Sequence, residues 1–290
     1  MPGPYYLRIG GIGLLLDTDQ ILPEDPHFIP FLTEPFEPDW TARFRRTEKL
    51  PPVPDEVILE DSCRRVHAGP EGKSLQTWFD PPRDLTPYAV VDSDASKRLI
   101  RVDYLAKGIH CVNQMRNSFA HLNFERLLIQ QERLCFHAAC VETSLGGILF
   151  SGPSGIGKST QAQLWCEHRG AVLVNGDRPI LSKENNGWNA WGSPYAGSSK
   201  CHINESCAIS AIVMLRQAPV CSIRRLNCTQ AVRSIWAGLT VHIWDDEFVA
   251  RAFDLAAELS AQIPVYELVC TPDIQAVTCL ENALRKECGS

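Results

Sequence analysis

The sequence lacks the long apolar run that a membrane-spanning helix requires. The nearest approach, residues 9–16, is short and interrupted by glycine, whereas roughly 18 consecutive apolar residues are needed to cross a bilayer. No apolar segment of the kind found in secretory signal peptides follows the first methionine. We therefore predict a cytoplasmic protein with no membrane partner.

An excess of positive charge is also missing. The 28 lysines and arginines are outnumbered by 34 aspartates and glutamates, which gives a net charge of −6. Small basic clusters at 43–46, 64–65 and 224–225 lack an aromatic platform for stacking bases. We expect no nucleic-acid partner, and any anionic ligand must be bound locally.

The spacing of the twelve cysteines is typical neither of a disulfide framework nor of a zinc site. They are scattered through 290 residues, unlike the dense framework of a small disulfide-rich domain. Cys135, His137 and Cys140 come closest to zinc-ligand spacing, but no second cluster completes a set of four. We predict reduced, buried thiols rather than a zinc site.

Proline-rich stretches in the first third of the chain exclude long helices there. Alternating segments at 5–9, 57–60 and 99–104 predict a small β-sheet. From residue 117 onward, apolar residues recur three and four apart, which is typical of one amphipathic helix. The sequence thus predicts a β-rich N-terminal domain over 1–116 and a connecting helix over 117–133.

The remainder, 134–290, is predicted to be a second, α/β domain. Strands at 134–142, 147–151 and 171–174 surround a glycine-rich loop and a helix at 160–167. Further strands are expected at 211–215, 222–226 and 265–269. Further helices are expected at 229–239, 247–262 and 273–287.

One motif in this domain carries recognisable chemistry. It has the pattern G-x-x-x-x-G-K-[ST] and lies between a predicted strand and a predicted helix. Its residues are Gly152-Pro153-Ser154-Gly155-Ile156-Gly157-Lys158-Ser159, followed by Thr160. The backbone N–H groups and the helix N-terminus would cradle phosphates, Lys158 would add charge, and Ser159 would ligate Mg²⁺. The motif predicts nucleotide binding, with ATP and Mg²⁺ as the expected cofactors.

A carboxylate is needed to hold the metal from the strand side. Asp177 follows the apolar strand 172–174, at the end where an open α/β sheet places its ligand crevice. Asn175-Gly176-Asp177 is also a favourable turn sequence in its own right. We predict that Asp177 is a metal ligand.

The order of these elements resembles the HPr kinase/phosphorylase and phosphoenolpyruvate-carboxykinase-like group of P-loop proteins. The likeness rests on residues 134–182, where a histidine segment at 136–141, the loop at 147–160 and the segment 169–178 follow in order. Within the group, the chain is more similar to the shorter HPr-kinase-like proteins, including kinases that modify ribosomally made peptides. The resemblance implies an α/β, HPr-kinase-like P-loop core joined to the N-terminal β-rich domain.

The same resemblance implies transfer of a phosphoryl group from ATP·Mg to a hydroxyl, with His137 near that hydroxyl. HPr kinases carry a pair of aspartates after this strand, and here Gly176 stands in place of the first. Three alternatives remain: Asp177 serves both metal and base, His137 accepts the proton, or the phosphorylase direction is lost. His137 could equally be a hydrogen-bonded core histidine.

Two further cations are candidates for contacting the phosphoryl group or the substrate. Arg178 follows Asp177, and Lys200 ends the glycine- and serine-rich segment 191–200. That composition suits a loop that closes on a substrate, although both cations could simply be surface charges.

We expect a kinase that acts on a serine or threonine hydroxyl of a small protein or peptide. A kinase for a small metabolite and a non-catalytic, nucleotide-dependent regulator are the alternatives. A homo-oligomer is possible. The sequence has no guanine-specifying Asn-Lys-x-Asp tetrad and no identifiable arginine finger, so a GTPase is not favoured.

Overall fold

A computed structural model of the chain describes residues 3–69, 73–184, 187–195, 197 and 203–288. Internal contacts divide the chain into two compact units, Met1–Leu127 and Leu128–Ser290. The division falls inside the segment 117–133. Both units combine strands and helices, so the chain is a mixed α/β protein with large sheets. Among the described residues, no helix has both the length and the apolar character needed to cross a membrane.

The first unit is built on a sheet in the order β3-β1-β2-β4-β9-β8-β7-β6-β5. Its described strands are β1 Tyr5–Ile9, β2 Ile12–Thr18, β3 Leu32–Thr33, β4 Trp40–Arg46, β5 Val57–Glu60, β6 Arg64–His67, β7 Lys73–Asp80, β8 Asp84–Asp94 and β9 Leu99–Tyr104. Strands β2, β4 and β9 pair in parallel, whereas the remaining pairs are antiparallel. The sheet is larger than the small one that the sequence predicts.

The segment 117–133 does not form one helix. After α1 (Ile109–Val112), the chain forms α2 (Met115–Ala120) and α3 (Phe124–Ile129), with a turn between them. Asn123 in that turn has a φ of +48°, a left-handed conformation that interrupts a helix and that asparagine tolerates better than most residues. The prediction of a single connecting helix is therefore wrong.

The second unit contains a sheet in the order β10-β14-β15-β16-β12-β11-β13, with β18 beside β16 and β17 beside β18. The strands are β10 Arg133–Cys135, β11 Ala138–Thr143, β12 Gly146–Ser151, β13 Val172–Asn175, β14 Ile180–Glu184, β15 Gly187–Trp191, β16 Ser206–Gln217, β17 Ser222–Arg225 and β18 Val265–Cys270. The helices are α4 Lys158–Arg169, α5 Cys228–Gly238, α6 Asp246–Gln262 and α7 Ile274–Cys288.

Helices cover both faces of this sheet. Along β12, Ile148 and Phe150 pack on the side of α4 and α7, and Leu149 packs on the side of α5 and α6. The alternation follows from the two-residue period of a strand, because successive side chains point to opposite faces. All three side chains are buried. The strand that leads into the glycine-rich loop is thus fixed by apolar packing on both sides, which gives the loop a rigid base.

Candidate functional site

The glycine-rich loop joins β12 to α4 and bends through backbone conformations that favour glycine. Gly155 and Gly157 have φ angles of +78° and +108°, which other residues adopt only with strain. Gly157 is the N-cap residue of α4, so it has no side chain to cover the first N–H groups of the helix. Those groups and the helix dipole form a local positive field at the loop.

Lys158 is the first residue of α4, and its side chain folds back over the loop. Its Nζ donates to the carbonyl oxygens of Gly152 and Pro153 at 3.0 and 3.2 Å. An ammonium has three donors, so one remains for an anion. Burial lowers the pKa of Lys158, and the charge of Asp177 opposes that shift. The lysine is therefore held against the loop and electrostatically linked to Asp177.

Asp177 is held in place by a buried asparagine two residues before it. The Oδ1 of Asn175 accepts from the backbone N–H groups of Asp177 and Arg178 at 3.0 and 2.8 Å. Its Nδ2 donates to the carbonyl oxygen of Ser193 at 3.1 Å. Asn175 is fully buried. This side chain closes a turn at the end of β13 and thereby fixes where the Asp177 carboxylate lies.

His137 lies between β10 and β11, not within the single strand that the sequence predicts over 134–142. Its backbone N–H donates to the carbonyl oxygen of Gly238 at 2.8 Å, and its own carbonyl oxygen accepts from Ser151 Oγ at 2.8 Å. The chain leaves one pairing, β10 with β14, and enters another, β11 with β12 and β13. The break turns His137 out of the core and leaves its side chain about one third exposed.

The imidazole of His137 faces Asp177. Its Nε2 lies 3.2 Å from Asp177 Oδ1. Burial and the positive charges of Lys158 and Arg178 lower the pKa of His137, while the charge of Asp177 raises it; the net shift is downward. The downward shift of this pKa favours the neutral imidazole at neutral pH, a form that can accept a proton near the carboxylate.

These side chains and the loop enclose one cavity of about 390 Å³. Its size falls in the range of small-molecule sites, roughly 300–1,000 Å³. The residues that line it come from the loop, the start of α4, the break between β10 and β11, the end of β13 and the segment after β15. They are His137, Ser154, Gly155, Gly157, Lys158, Ser159, Thr160, Gly176, Asp177 and Gly197. The structure thus brings together most of the residues that the sequence singles out.

The other predicted loop residues lie elsewhere. Gly152 and Pro153 line a second cavity of about 190 Å³, which His137 also lines. Ile156 packs against the apolar core on the α4 side. The remaining walls of the second cavity are Ser151, Met214, Ser234, Ala237 and Gly238. His137 therefore borders both cavities.

Of the two predicted accessory cations, one can be located. Arg178 Nε lies 3.8 Å from Asp177 Oδ2, and its Nη1 donates to Thr240 Oγ1 at 2.5 Å. These contacts hold Arg178 beside the carboxylate. Lys200 lies outside the described residues, as does most of the second half of the predicted closing segment 191–200.

Two contributors to the site are missing from the sequence-based prediction. Asn175 has a visible signal, because an asparagine two residues before an aspartate is typical of an Asx turn. Gly197 has none: it has a φ of +56°, and a Cβ there would lie 2.8 Å from Asp177 Cβ. That contact joins distant parts of the chain and leaves no local pattern.

Cys135 and Cys140 are buried, and Cys140 Sγ lies 3.8 Å from Cys207 Sγ. The ten cysteines whose side chains are described are all free thiols. His137 turns toward the larger cavity. In the described structure, Cys135, His137 and Cys140 therefore do not converge on one point as the ligands of a metal would.

Comparison with known proteins adds little to this geometry. No protein-family model matches the chain, and no curated protein matches it. Among solved structures, the HPr(Ser) kinase/phosphatase from Coxiella burnetii is similar at 15% identity, over 53% of this chain and 93% of that one, with a TM-score of 0.34. A likeness of this size shows only a distant relationship of fold.

Proposed function

We propose that this chain is an ATP- and Mg²⁺-dependent kinase that transfers the γ-phosphoryl group to a serine or threonine hydroxyl of a small protein or peptide. The observation that carries the proposal is the shared cavity of Lys158, Ser159, Asp177 and His137. These four residues combine a phosphate-binding cation, two oxygen donors and a proton acceptor.

The nucleotide phosphates would bind along the glycine-rich loop. Backbone N–H groups at the start of α4 and the remaining donor of Lys158 both favour an anion there. The chain as a whole carries a net negative charge, so this positive field is local.

The residues present fit a magnesium ion. Mg²⁺ prefers oxygen ligands, and the Ser159 hydroxyl and the Asp177 carboxylate are oxygen donors in the same cavity. When bound with ATP, the metal would neutralise charge that develops on the phosphates. Ser159 and Asp177 are the residues we assign to hold it.

In the transfer step, the acceptor oxygen forms a bond to the γ-phosphorus while the bond to the β–γ bridging oxygen breaks and ADP leaves. The acceptor hydroxyl loses its proton. We assign the acceptance of that proton to His137. Gly176 stands where HPr kinases carry the first of two aspartates, so Asp177 is the one carboxylate at this position, and a carboxylate that binds a metal is a weak base. If Asp177 takes the proton instead, a His137 variant keeps most of the activity.

The acceptor would enter through the smaller cavity. It shares His137 with the larger one, and small residues such as Ser234, Ala237 and Gly238 line it. A volume of about 190 Å³ suits a single side chain of a peptide. It also suits a small metabolite, and this makes a small-molecule hydroxyl kinase the second candidate.

Incubation with γ-labelled ATP and Mg²⁺ tests the acceptor class directly. The purified chain is mixed with a peptide library and, separately, with a fraction of small metabolites, and new phosphorylated species are identified by mass spectrometry. The control is Lys158→Ala under the same conditions. We expect label on a peptide serine or threonine with the unaltered chain and none with Lys158→Ala.

Label on a metabolite would move the assignment to the second candidate. Tight, magnesium-dependent ATP binding without transfer to either pool would contradict kinase activity and favour a nucleotide-dependent regulator. Label that persists in Lys158→Ala would show that transfer does not depend on this cavity.

A further inference from the structure

A second cluster of reactive side chains lies in the first unit, in a cavity of about 280 Å³. Asp80, His110 and Cys111 each offer one ligand atom there, and these three atoms lie within 4.8 Å of one another. The proposed kinase reaction uses none of them. Their combination of oxygen, nitrogen and sulfur donors is one that divalent transition metals bind.

Two separate elements supply the donors. Asp80 ends β7, and His110 and Cys111 are neighbours on α1. His110 Nε2 lies 2.7 Å from Asp80 Oδ2, so the imidazole and the carboxylate already converge. Arg83 Nη1 approaches the same carboxylate oxygen at 3.8 Å from a largely exposed position.

The wall behind the cluster is aromatic and hydrogen-bonded. Trp78, Phe79 and Tyr88 line the cavity together with His121. His121 Nδ1 lies 2.8 Å from the carbonyl oxygen of Asn117. Because a carbonyl oxygen can only accept a hydrogen bond, Nδ1 carries the proton of the ring. The other ring nitrogen, Nε2, then accepts a hydrogen bond from Tyr88 Oη at 2.8 Å. Tyr88 lies close enough to Cys111, which lines the same cavity, for the two groups to interact. The contact between Tyr88 and His121 fixes the wall behind Cys111, as outer groups support metal ligands elsewhere.

We propose that Asp80, His110 and Cys111 bind a divalent transition metal of the zinc class through three protein ligands and one open position. In a tetrahedral zinc site, ligand bonds of about 2.0–2.3 Å place neighbouring donor atoms about 3.5 Å apart. The present spread of up to 4.8 Å closes to that value with a side-chain movement of about 1 Å. Binding forms the metal–sulfur bond and releases the thiol proton to solvent.

Cys63 lines the same cavity but is not part of the ligand set. Cys63 directly precedes β6, and its Sγ donates to Asp61 Oδ1 at 3.4 Å. We therefore assign the fourth position to water or to an exogenous ligand. This makes Cys63 a matched control, since it is a thiol in the same cavity with a different partner.

The test uses Co²⁺ as a spectroscopic substitute for Zn²⁺ in the metal-free, 290-residue chain. A thiolate ligand gives Co²⁺ a charge-transfer band in the near ultraviolet, and tetrahedral geometry strengthens its visible absorption. We expect both signals to saturate at one equivalent and to disappear when Zn²⁺ is added. Cys111→Ser should abolish the charge-transfer band and weaken binding by at least roughly tenfold.

Four further variants make the result specific. Asp80→Asn and His110→Ala should weaken Co²⁺ binding but keep the charge-transfer band at saturation, because Cys111 remains. Cys63→Ser and the exposed-thiol variant Cys228→Ser should leave both the band and the affinity unchanged. Circular dichroism of each variant checks that it folds.

Either of two outcomes would overturn the proposal. One is an unaltered chain with no charge-transfer band, and the other is a band that survives in Cys111→Ser. A band lost in Cys63→Ser would likewise remove the assignment of three ligands. Oxygen-only binding at Ser159 and Asp177 produces no thiolate band, so the kinase site cannot imitate a positive result.

Discussion

Nε2 of His137 lies 3.2 Å from Oδ1 of Asp177, although the two residues lie at the ends of different strands. Asp177 follows β13, and His137 occupies the break between β10 and β11. Both line the cavity that also contains Lys158. The pair places a carboxylate and an imidazole side by side, and the kinase proposal assigns them to metal binding and to proton acceptance.

The pH dependence of phosphoryl transfer should reveal His137. Its pKa is lowered from the ordinary 6.5 by burial and by the neighbouring cations, so the neutral, proton-accepting form persists somewhat below pH 6.5. We expect the rate to be level near neutrality and to fall only as the pH drops through that lowered pKa. His137→Gln should remove this acid limb and reduce kcat by roughly 10²-fold or more.

A pH profile that keeps its acid limb in His137→Gln, with nearly unchanged kcat, would exclude His137 as the proton acceptor. Asp177 would then serve both purposes. His168→Gln, on the exposed side of α4, is the matched control and should change neither the rate nor the profile.

Removing the loop lysine should abolish function without unfolding the protein. In Lys158→Ala, the cavity loses its full positive charge, and we expect phosphoryl transfer to fall by at least roughly 10²–10³-fold. Calorimetric titration should show weakened ATP binding, while the melting temperature shifts little because the hydrogen bonds described for Lys158 go to two carbonyls of its own loop. Lys183→Ala, which breaks an exposed ion pair with Glu258, is the control and should retain activity.

Gly197 should be sensitive to substitution because it lies against Asp177. A methyl group in Gly197→Ala would be placed 2.8 Å from Asp177 Cβ, so the carboxylate must shift. We expect a loss of magnesium-dependent activity, measured as a weaker response of the rate to added Mg²⁺. Gly187→Ala is the matched control, since its φ is also positive, at +126°, but a Cβ there meets nothing within 4 Å.

If Gly187→Ala and Gly197→Ala lose activity equally, backbone strain explains the effect and the contact with Asp177 does not. Equal activity of both variants and the unaltered chain would show that the carboxylate position is not critical.

His121 should make the stability of the first unit depend on pH. Burial lowers its pKa to about 4, whereas an unfolded histidine titrates near 6.5. Its contribution is therefore complete above pH 6.5 and is lost as the pH falls toward 4. Urea unfolding should show the free energy decreasing by up to roughly 1.4 kcal/mol per pH unit in that window.

His121→Gln should flatten this slope while keeping an acceptor for Tyr88 Oη. A slope that is the same in His121→Gln and in the unaltered chain would contradict the buried, neutral state assigned to His121.

The sequence was most informative where function depends on local spacing. The loop pattern predicts the turn at Gly155 and Gly157 and the start of α4, and the helices near 229–239, 247–262 and 273–287 lie within a few residues of α5, α6 and α7. Each of these depends on neighbours along the chain: glycine in the loop, and apolar residues three and four apart in the helices.

Long-range contacts explain what the sequence did not indicate. The parallel pairing of β2, β4 and β9 joins segments far apart in the chain, and no local pattern specifies it. The break at His137 depends on the backbone of Gly238. The left-handed residue Asn123 lies in the turn between α2 and α3, and helical periodicity alone does not predict such a turn.

The most direct test of the kinase proposal compares ATP labelled on the γ-phosphate with ATP labelled on the α-phosphate. Each is incubated with Mg²⁺, the acceptor found by mass spectrometry, and either the unaltered chain or Lys158→Ala. The proposal predicts transfer of γ-label alone, and only by the unaltered chain. Transfer of α-label, or γ-label that transfers equally well in Lys158→Ala, would contradict it.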